Sequence, residues 1–365
     1  MKPRKLSAII KITESCNYNC EFCFYAKNNC SQNKIIDFSL LKNIMLETVK
    51  YNVNNNIPRV TFIFHGGEPL LAEIDFFKKI ILYENFLKKN YPELIIDNCI
   101  QTNAFLINNE WIDFFEKNQF SVGISLDGPA GLNSHFICKE SEDIPKIIST
   151  YNLLNAKDID VGILSVITSK HTQHVNEFYE FIVENKIKNI GLLPCVNDEQ
   201  GITITNNEYF SFMSNLFDLY FNSEYEFNVR EFNIAIERVL GSKRIVNCSN
   251  CQRMSCGSYL TYDINGRVFY CDTAYNKATA IANFPKQSLN EIVSSKSYLE
   301  KKASALNFIE SNCKNCDCYK LCGGACYRND IKIDGIVKNR FCEFNKQFSK
   351  YVEEKVMLVS KELYL

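Results

Sequence analysis

Three cysteines crowd one short loop, Cys16-Asn-Tyr-Asn-Cys20-Glu-Phe-Cys23. The loop follows Leu6-Ser-Ala-Ile-Ile-Lys-Ile-Thr13, which reads as a short buried strand. Three thiolates this close can take three corners of a cubane [4Fe–4S] cluster and leave the fourth iron open. An open iron can bind a small molecule through an amine and a carboxylate. A zinc site or a disulfide staple competes for the same loop, although structural zinc wants four closed ligands.

Cysteine usage elsewhere keeps metal in view. The 365-residue chain carries 17 cysteines. Its first residues, Met1-Lys-Pro-Arg-Lys-Leu, have no long apolar segment of the export type. Many cysteines in a long chain of this kind suggest metal rather than disulfides, and a reducing, cytoplasmic location. Apolar residues make up 46% and charged ones 23%, an ordinary globular balance. A formal net charge of −1 gives no overall field for nucleic acid. No uninterrupted apolar run approaches the length that spans a bilayer.

The hydrophobic pattern then alternates. Leu41, Ile44, Met45, Thr48 and Val49 recur at helical spacing, so residues 37–52 read as a helix. The strand Val60–Phe64 ends in His65-Gly66-Gly67-Glu68-Pro69, where the glycines let backbone approach a ligand and Pro69 closes a turn. Strand 94–102 ends in Gln101-Thr102-Asn103, and strand 121–126 ends at Ser125-Leu-Asp127-Gly-Pro129. Helices are expected over 108–118, 144–155 and 175–185, and strands over 161–167 and 189–193. Six strand–helix alternations predict an α/β fold with a parallel sheet and outer helices. They are too few for an eight-unit barrel, so a partial (β/α)6 barrel is expected, open on one side to a large substrate. Ligands of such folds bind at the carboxyl ends of the strands.

Residues 196–247 read as a helical bridge, with helices near 209–220 and 232–240. Cysteines crowd again from Cys248. Asn265-Gly266 marks a hairpin turn between Cys256 and Cys271. Then come Cys313-x2-Cys316-x5-Cys322-x3-Cys326 and Cys342, and a closing helix over about 343–361. The expected segments are 1–195, 196–247, 248–342 and 343–365.

These motifs resemble the radical S-adenosylmethionine (SAM) enzymes, and the cysteine array from 248 to 342 resembles their SPASM domain. The layout is similar to maturases of ribosomally made peptides and to anaerobic sulfatase maturases. The resemblance implies three [4Fe–4S] clusters and bound SAM. Cys16, Cys20 and Cys23 would hold the first cluster. Cys251, Cys256, Cys271 and Cys326 would hold auxiliary cluster I, with Cys248 an alternative to Cys251. Cys313, Cys316, Cys322 and Cys342 would hold auxiliary cluster II. Cys30, Cys99, Cys138, Cys195 and Cys318 read as ordinary thiols, with Cys318 the candidate exception because it lies beside cluster ligands.

The same resemblance places Phe22, Tyr25, Gly66, Gly67, Glu68, Pro69, Asn103, Ser125 and Asp127 around SAM. Asp272, directly after Cys271, would take a proton from the substrate. A turn-capping Asp is the plainer alternative. His65 stands where sulfatase maturases tend to have Gln, and is familiar in peptide maturases; a satisfied core histidine is the plainer alternative. The positions comparable to the relatives' H-D-x-x-R read Asn133-Ser-His-Phe-Ile137, with Lys139 the nearby cation.

The function expected from this reading is a peptide maturase. A 5′-deoxyadenosyl radical takes a side-chain hydrogen from a ribosomally synthesised precursor, and a carbon–carbon or thioether cross-link follows. The alternative is a sulfatase maturase that makes formylglycine from Cys or Ser. A non-catalytic iron–sulfur electron carrier or scaffold is the reading from another class. Expected partners are the precursor peptide, an electron donor such as flavodoxin or ferredoxin, and a separate leader-binding protein. The last follows from the short stretches before Cys16 and after Cys342. Neither membrane nor nucleic acid is expected.

Overall fold

A computed structural model describes residues 5–20, 23, 34–132, 140–196, 202–242, 253–272 and 279–362. The chain divides into two compact units, neither of which is one stretch of sequence. The first holds residues 1–125, 135–161 and 257–302; the second holds 126–134, 162–256 and 303–365.

Six strand–helix pairs run in chain order, as the alternation predicts. They are β1 (Ser7–Thr13), α1 (Phe38–Asn54), β2 (Arg59–Gly66), α2 (Glu73–Asn90), β3 (Ile95–Thr102) and α3 (Asn109–Asn118). β4 (Phe120–Ser125), α4 (Glu140–Ala156), β5 (Val161–Ile167), α5 (Val175–Glu184), β6 (Asn189–Pro194) and α6 (Asn206–Phe221) follow. Helix α2 was not anticipated. The remaining elements are β7 (Asn228–Val229), α7 (Arg230–Val239), β8 (Tyr259–Tyr262), β9 (Arg267–Phe269) and β10 (Ala282–Asn283). Last come α8 (Leu289–Ser294), α9 (Lys296–Asn312), α10 (Tyr319–Cys322), the pair β11 (Asp330–Ile333) and β12 (Ile336–Asn339), and α11 (Cys342–Glu362).

In the first unit the strand order is β10-β9-β8-β1-β2-β3-β4. β1 to β4 pair in parallel, and β8 joins β1 in parallel from the far end of the sequence. β1 is buried along its whole length, as a central parallel strand must be. β2 alternates, with Val60, Phe62 and Phe64 inside. α1 starts where Asp37 Oδ1 accepts from the Ser39 and Leu40 amides at 2.9 and 3.1 Å. Phe64, Phe77, Trp111, Phe115 and Phe120 meet edge to face, tilted or, for Phe64 and Phe120, stacked, and fill the space under the sheet.

The expected hairpin is present. β8 and β9 are antiparallel, and Gly266 takes a φ of +79° at the turn. Asp263 Oδ1 accepts from the Asn265 and Arg267 amides at 2.9 Å each. β8 thus carries the segment before Cys271 onto the sheet that begins at β1.

In the second unit β5, β6 and β7 are parallel. Helices α5, α6, α7 and α11 surround an aromatic core of Phe212, Phe217, Phe232, Phe344 and Phe348. α6 begins with the reciprocal cap of Thr205 and Glu208.

Candidate active site at the strand ends

The cysteine loop is tied to β2 before it begins. The Gly67 amide donates to the Thr13 carbonyl and the Glu68 amide to the Ser15 carbonyl, both at 2.8 Å. The two glycines make this possible. A Cβ on Gly66 would lie 2.3 Å from Thr13 O, and one on Gly67 would lie 2.0 Å from Ser15 O. Their role in the free protein is therefore to seat the loop against the strand end. Cys16, Cys20 and Cys23 follow, all half-buried. The Tyr18 amide points at Cys16 Sγ, 3.4 Å away, and the Cys23 amide donates to the Cys20 carbonyl at 3.1 Å. Phe22 and Tyr25 lie outside the described residues.

Glu68 does not reach into open space. It is 1% exposed, and its carboxyl accepts from Thr102 Oγ1 and the Asn103 amide at 2.8 Å and from the Leu70 amide at 3.0 Å. Burial outweighs these donors and pushes its pKa up to about 7. Pro69 follows at the start of a 3₁₀ turn. Asn103 Nδ2 donates to Asn17 Oδ1, inside the cysteine loop. Ser125 Oγ accepts from Gln101 Nε2 at 2.9 Å, at the end of the neighbouring strand.

Asp127, the last of the residues expected around SAM, follows the end of β4. It is fully buried, and its Oδ1 accepts from the Val166 amide at 2.7 Å. Its carbonyl faces His171 Nε2 at 2.9 Å. A side chain so enclosed ties the segment after β4 to β5. The segment holding Asn133–Ile137 and Lys139 lies outside the described residues.

One cluster was only half legible. Lys11 of β1 and His65 of β2 are register partners on adjacent parallel strands. Lys11 is 1% exposed, and its Nζ forms an ion pair with Asp272 Oδ1. Asp272 Oδ2 lies 3.9 Å from His65 Nε2. The Gly66 amide donates to His65 Nδ1 at 2.7 Å. Burial, with Lys11 nearby, holds the His65 pKa down at about 4. The ring is therefore neutral near pH 7, with its proton on Nε2. The sequence pointed to His65 and Asp272 but not to Lys11. The signal for it was a lone charge within a strand otherwise read as buried.

The later cysteines also group. In the second unit, burial pushes the Cys313 thiol up to about 11, and neighbouring Cys322, Cys342 and Cys316 push the same way. These four cysteines are neighbours, so they fit the expected ligand set of an iron–sulfur cluster, which would hold them as thiolates. Among the described residues no three His, Cys, Asp or Glu side chains stand close enough to share one metal ion, as a zinc staple would need. Cys318 and Cys195 are buried, and burial raises Cys99 to about 11. Cys248, Cys251, Cys30 and Cys138 lie outside the described residues.

Arg253 braces this region. It is fully buried, with Nη1 and Nη2 on the Asp330 carboxylate at 2.7 and 2.5 Å and Nε on the Gly324 carbonyl at 2.9 Å. Its guanidinium lies 3.6 Å from the centre of the Phe308 ring. Gly324 lies between Cys322 and Cys326, and the Cys256 amide donates to the Arg253 carbonyl at 3.1 Å.

The chain is similar to known proteins over nearly its whole length. The Radical SAM superfamily pattern matches residues 10–182. The chain is 31% identical to the cysteine-type anaerobic sulfatase-maturating enzyme of Clostridium novyi (strain NT), over 99% of this chain and 98% of that one. The solved structure of native anSMEcpe with bound AdoMet and Cp18Cys peptide superposes with a TM-score of 0.83 at 26% identity, covering 98% and 99% of the two chains. Streptococcus suis SuiB shares the fold at a TM-score of 0.58 and 19% identity, over 89% of this chain and 73% of that one. The fold is thus the α/β radical SAM partial barrel with a cysteine-rich C-terminal region. No helix among the described residues is long and apolar enough to cross a membrane.

Proposed function

This chain belongs to the radical SAM enzymes, in the family of the anaerobic sulfatase-maturating enzymes, and on that premise we propose that it oxidises a cysteine of a sulfatase polypeptide to formylglycine. It is a peptide-modifying enzyme, so the reading as a non-catalytic electron carrier falls. The formylglycine reading, the second choice from sequence, moves ahead of cross-linking because full-length similarity runs to a cysteine-type maturase.

The cluster on Cys16, Cys20 and Cys23, when bound, supplies the electron that splits SAM into methionine and a 5′-deoxyadenosyl radical. A low-potential donor such as flavodoxin or ferredoxin provides that electron. The protein's part is binding and orientation. Gly66 and Gly67 seat the cysteine loop against the strand end, where the methionine amino group would bind, with Glu68 and Pro69 fixing the turn that follows. Asn103 and Ser125 lie at the next strand ends, on the nucleoside side. Cys256, Cys271 and Cys326 with Cys251, and Cys313, Cys316, Cys322 and Cys342, would hold two auxiliary clusters that supply an electron sink.

Full-length similarity to a cysteine-type maturase carries the reading, and Asp272 supplies the proton acceptor it needs. Oxidising a thiol-bearing carbon removes a hydrogen atom, a proton and an electron. Asp272 directly follows Cys271, and Lys11 and His65 flank its carboxylate at the strand end. It takes the proton. Water then replaces the sulfur as hydrogen sulfide is released, leaving the aldehyde. One feature favours the cross-linking reading: His65 stands where Gln is usual in sulfatase maturases.

The test is anaerobic incubation of the reconstituted enzyme with SAM, dithionite and a cysteine peptide from a sulfatase active-site segment. An aldehyde trapped by hydrazide is expected, with the peptide mass showing sulfur exchanged for oxygen and two hydrogens lost. A ring on a ribosomal precursor that is two hydrogens lighter, with no trappable aldehyde on any sulfatase peptide, would promote the cross-linking reading.

A further inference from the structure

The mechanism above uses Asp272 and leaves Lys11 unexplained. An ammonium placed in the middle of a fully buried strand is strongly unfavourable unless a counter-charge meets it. β1 is buried at every position, yet its centre carries Lys11 rather than another Ile. The counter-charge is Asp272, which arrives from two strands away: β8 pairs with β1, β9 pairs with β8, and the chain leaves β9 toward Cys271 and Asp272. The two partners are unequally placed. The lysine is 1% exposed, whereas the Asp272 side chain keeps 32% of its surface open. The cation therefore lies behind and the carboxylate in front.

We propose that Lys11 is a positioning residue for the reaction: from the buried face of β1 it fixes the Asp272 carboxylate at the strand end where the substrate must give up its proton. The inference rests on the reading of Asp272 as proton acceptor. A long aliphatic stem packed inside the strand layer leaves the ammonium few alternative positions, so Oδ1 is anchored and the carboxylate plane is set. His65, the register partner of Lys11, is held neutral and donates no competing charge to the same carboxylate. Without the anchor, the aspartate samples other rotamers and radical formation runs ahead of product formation.

The experiment reads aldehyde formed per deoxyadenosine formed, in the fully reconstituted enzyme, for Lys11→Met, Lys11→Gln, Asp272→Asn and the double variant Lys11→Met/Asp272→Asn. Each Lys11 variant should lower the ratio about tenfold while keeping its iron content and SAM binding. The double variant should be no worse than Asp272→Asn alone, because Lys11 acts through that carboxylate. Multiplying losses in the double variant, or an unchanged ratio in both Lys11 variants, would overturn the proposal. So would loss of iron or fold in both, which would make Lys11 a core residue only. A wild-type enzyme that makes deoxyadenosine but no aldehyde would sink the formylglycine reading, and this inference with it.

Discussion

Asn103 Nδ2 donates to Asn17 Oδ1 at 2.8 Å, joining the end of β3 to the interior of the cysteine loop. The same Asn103 accepts from the Phe105 amide at 3.1 Å through its Oδ1, which fixes the amide orientation. Removing the bridge by Asn103→Ala should cost about 1 kcal/mol of loop order. Deoxyadenosine formation should fall about fivefold at fixed SAM, the equivalent of that energy. Iron held by the C-terminal cysteines should not change. An unaltered rate at subsaturating SAM would show that this bridge does not matter to the site.

Glu84 makes a pH-dependent prediction. It is 2% exposed on the inner face of α2, and burial pushes its pKa up from 4.5 to about 7. Asn98 Nδ2 donates to its Oε2 at 2.9 Å, while Glu84 Oε1 and Asn98 Oδ1 find no hydrogen-bond partner among the described residues. Between these two pKa values the native state holds a proton that the unfolded chain has lost. Stability from this group therefore falls as pH rises from about 4.5 to about 7 and is level above that. Glu84→Gln removes the ionisation and can donate to Asn98. It should raise stability at pH 8 by roughly 3 kcal/mol, and by far less at pH 5. Urea unfolding at the two pH values checks it; equal shifts at both would contradict the buried charge.

Glu84 also explains what the sequence concealed. Phe77, Ile80, Glu84 and Leu87 line the buried face of α2, so a carboxylate interrupts the apolar stripe that marks a helix. The other five helices of the six alternations were legible although some bury polar side chains such as Thr48, Asn52 and Ser214, because none of these is an ionisable group set in the middle of the apolar stripe. The β8–β1 pairing could not be read, since no local signal joins residues 259–262 to residues 7–10. Its consequence, Lys11 against Asp272, was hidden with it. The cysteine spacings and the Gly66-Gly67 turn were legible because their chemistry is local. The bond from the Val166 amide to the Asp127 carboxylate was equally hidden, because it joins residues far apart in sequence.

The Arg253–Asp330 pair predicts an asymmetric mutational outcome. The pair is bidentate, and Arg253 has no exposed surface. Asp330→Asn leaves a buried cation without its counter-charge, which should cost about 3–5 kcal/mol. Arg253→Lys should not rescue the wild-type behaviour, because a point ammonium cannot span both carboxylate oxygens, the Gly324 carbonyl and the Phe308 face. The readout is iron per chain after reconstitution together with unfolding midpoint. Arg253→Lys with full iron and an unshifted midpoint would show that the brace is dispensable.

His65→Gln tests the residue that most separates the two peptide-modifying readings. Its ring is neutral at pH 7, because burial and the nearby Lys11 depress its pKa from 6.5 to about 4. A neutral amide of similar reach preserves that charge state, and the Gln oxygen can accept from the Gly66 amide as Nδ1 does now. If the chain is a cysteine-type maturase, the variant carries the side chain usual in that family, and aldehyde yield should stay within about tenfold of wild type. If the ring itself aligns a cross-linking substrate, ring closure should collapse while deoxyadenosine still forms. The sign of the pH effect provides a second check. Between pH 4 and 6.5 the unfolded chain binds a proton on His65 that the native state refuses, so this group's contribution is full above 6.5 and lost as pH falls toward 4. His65→Gln abolishes that loss, so the variant should gain on wild type at pH 5 relative to pH 7.5. A stability difference that does not vary with pH would mean that the ring is not held neutral, and the placement of Lys11 beside it would need another reason.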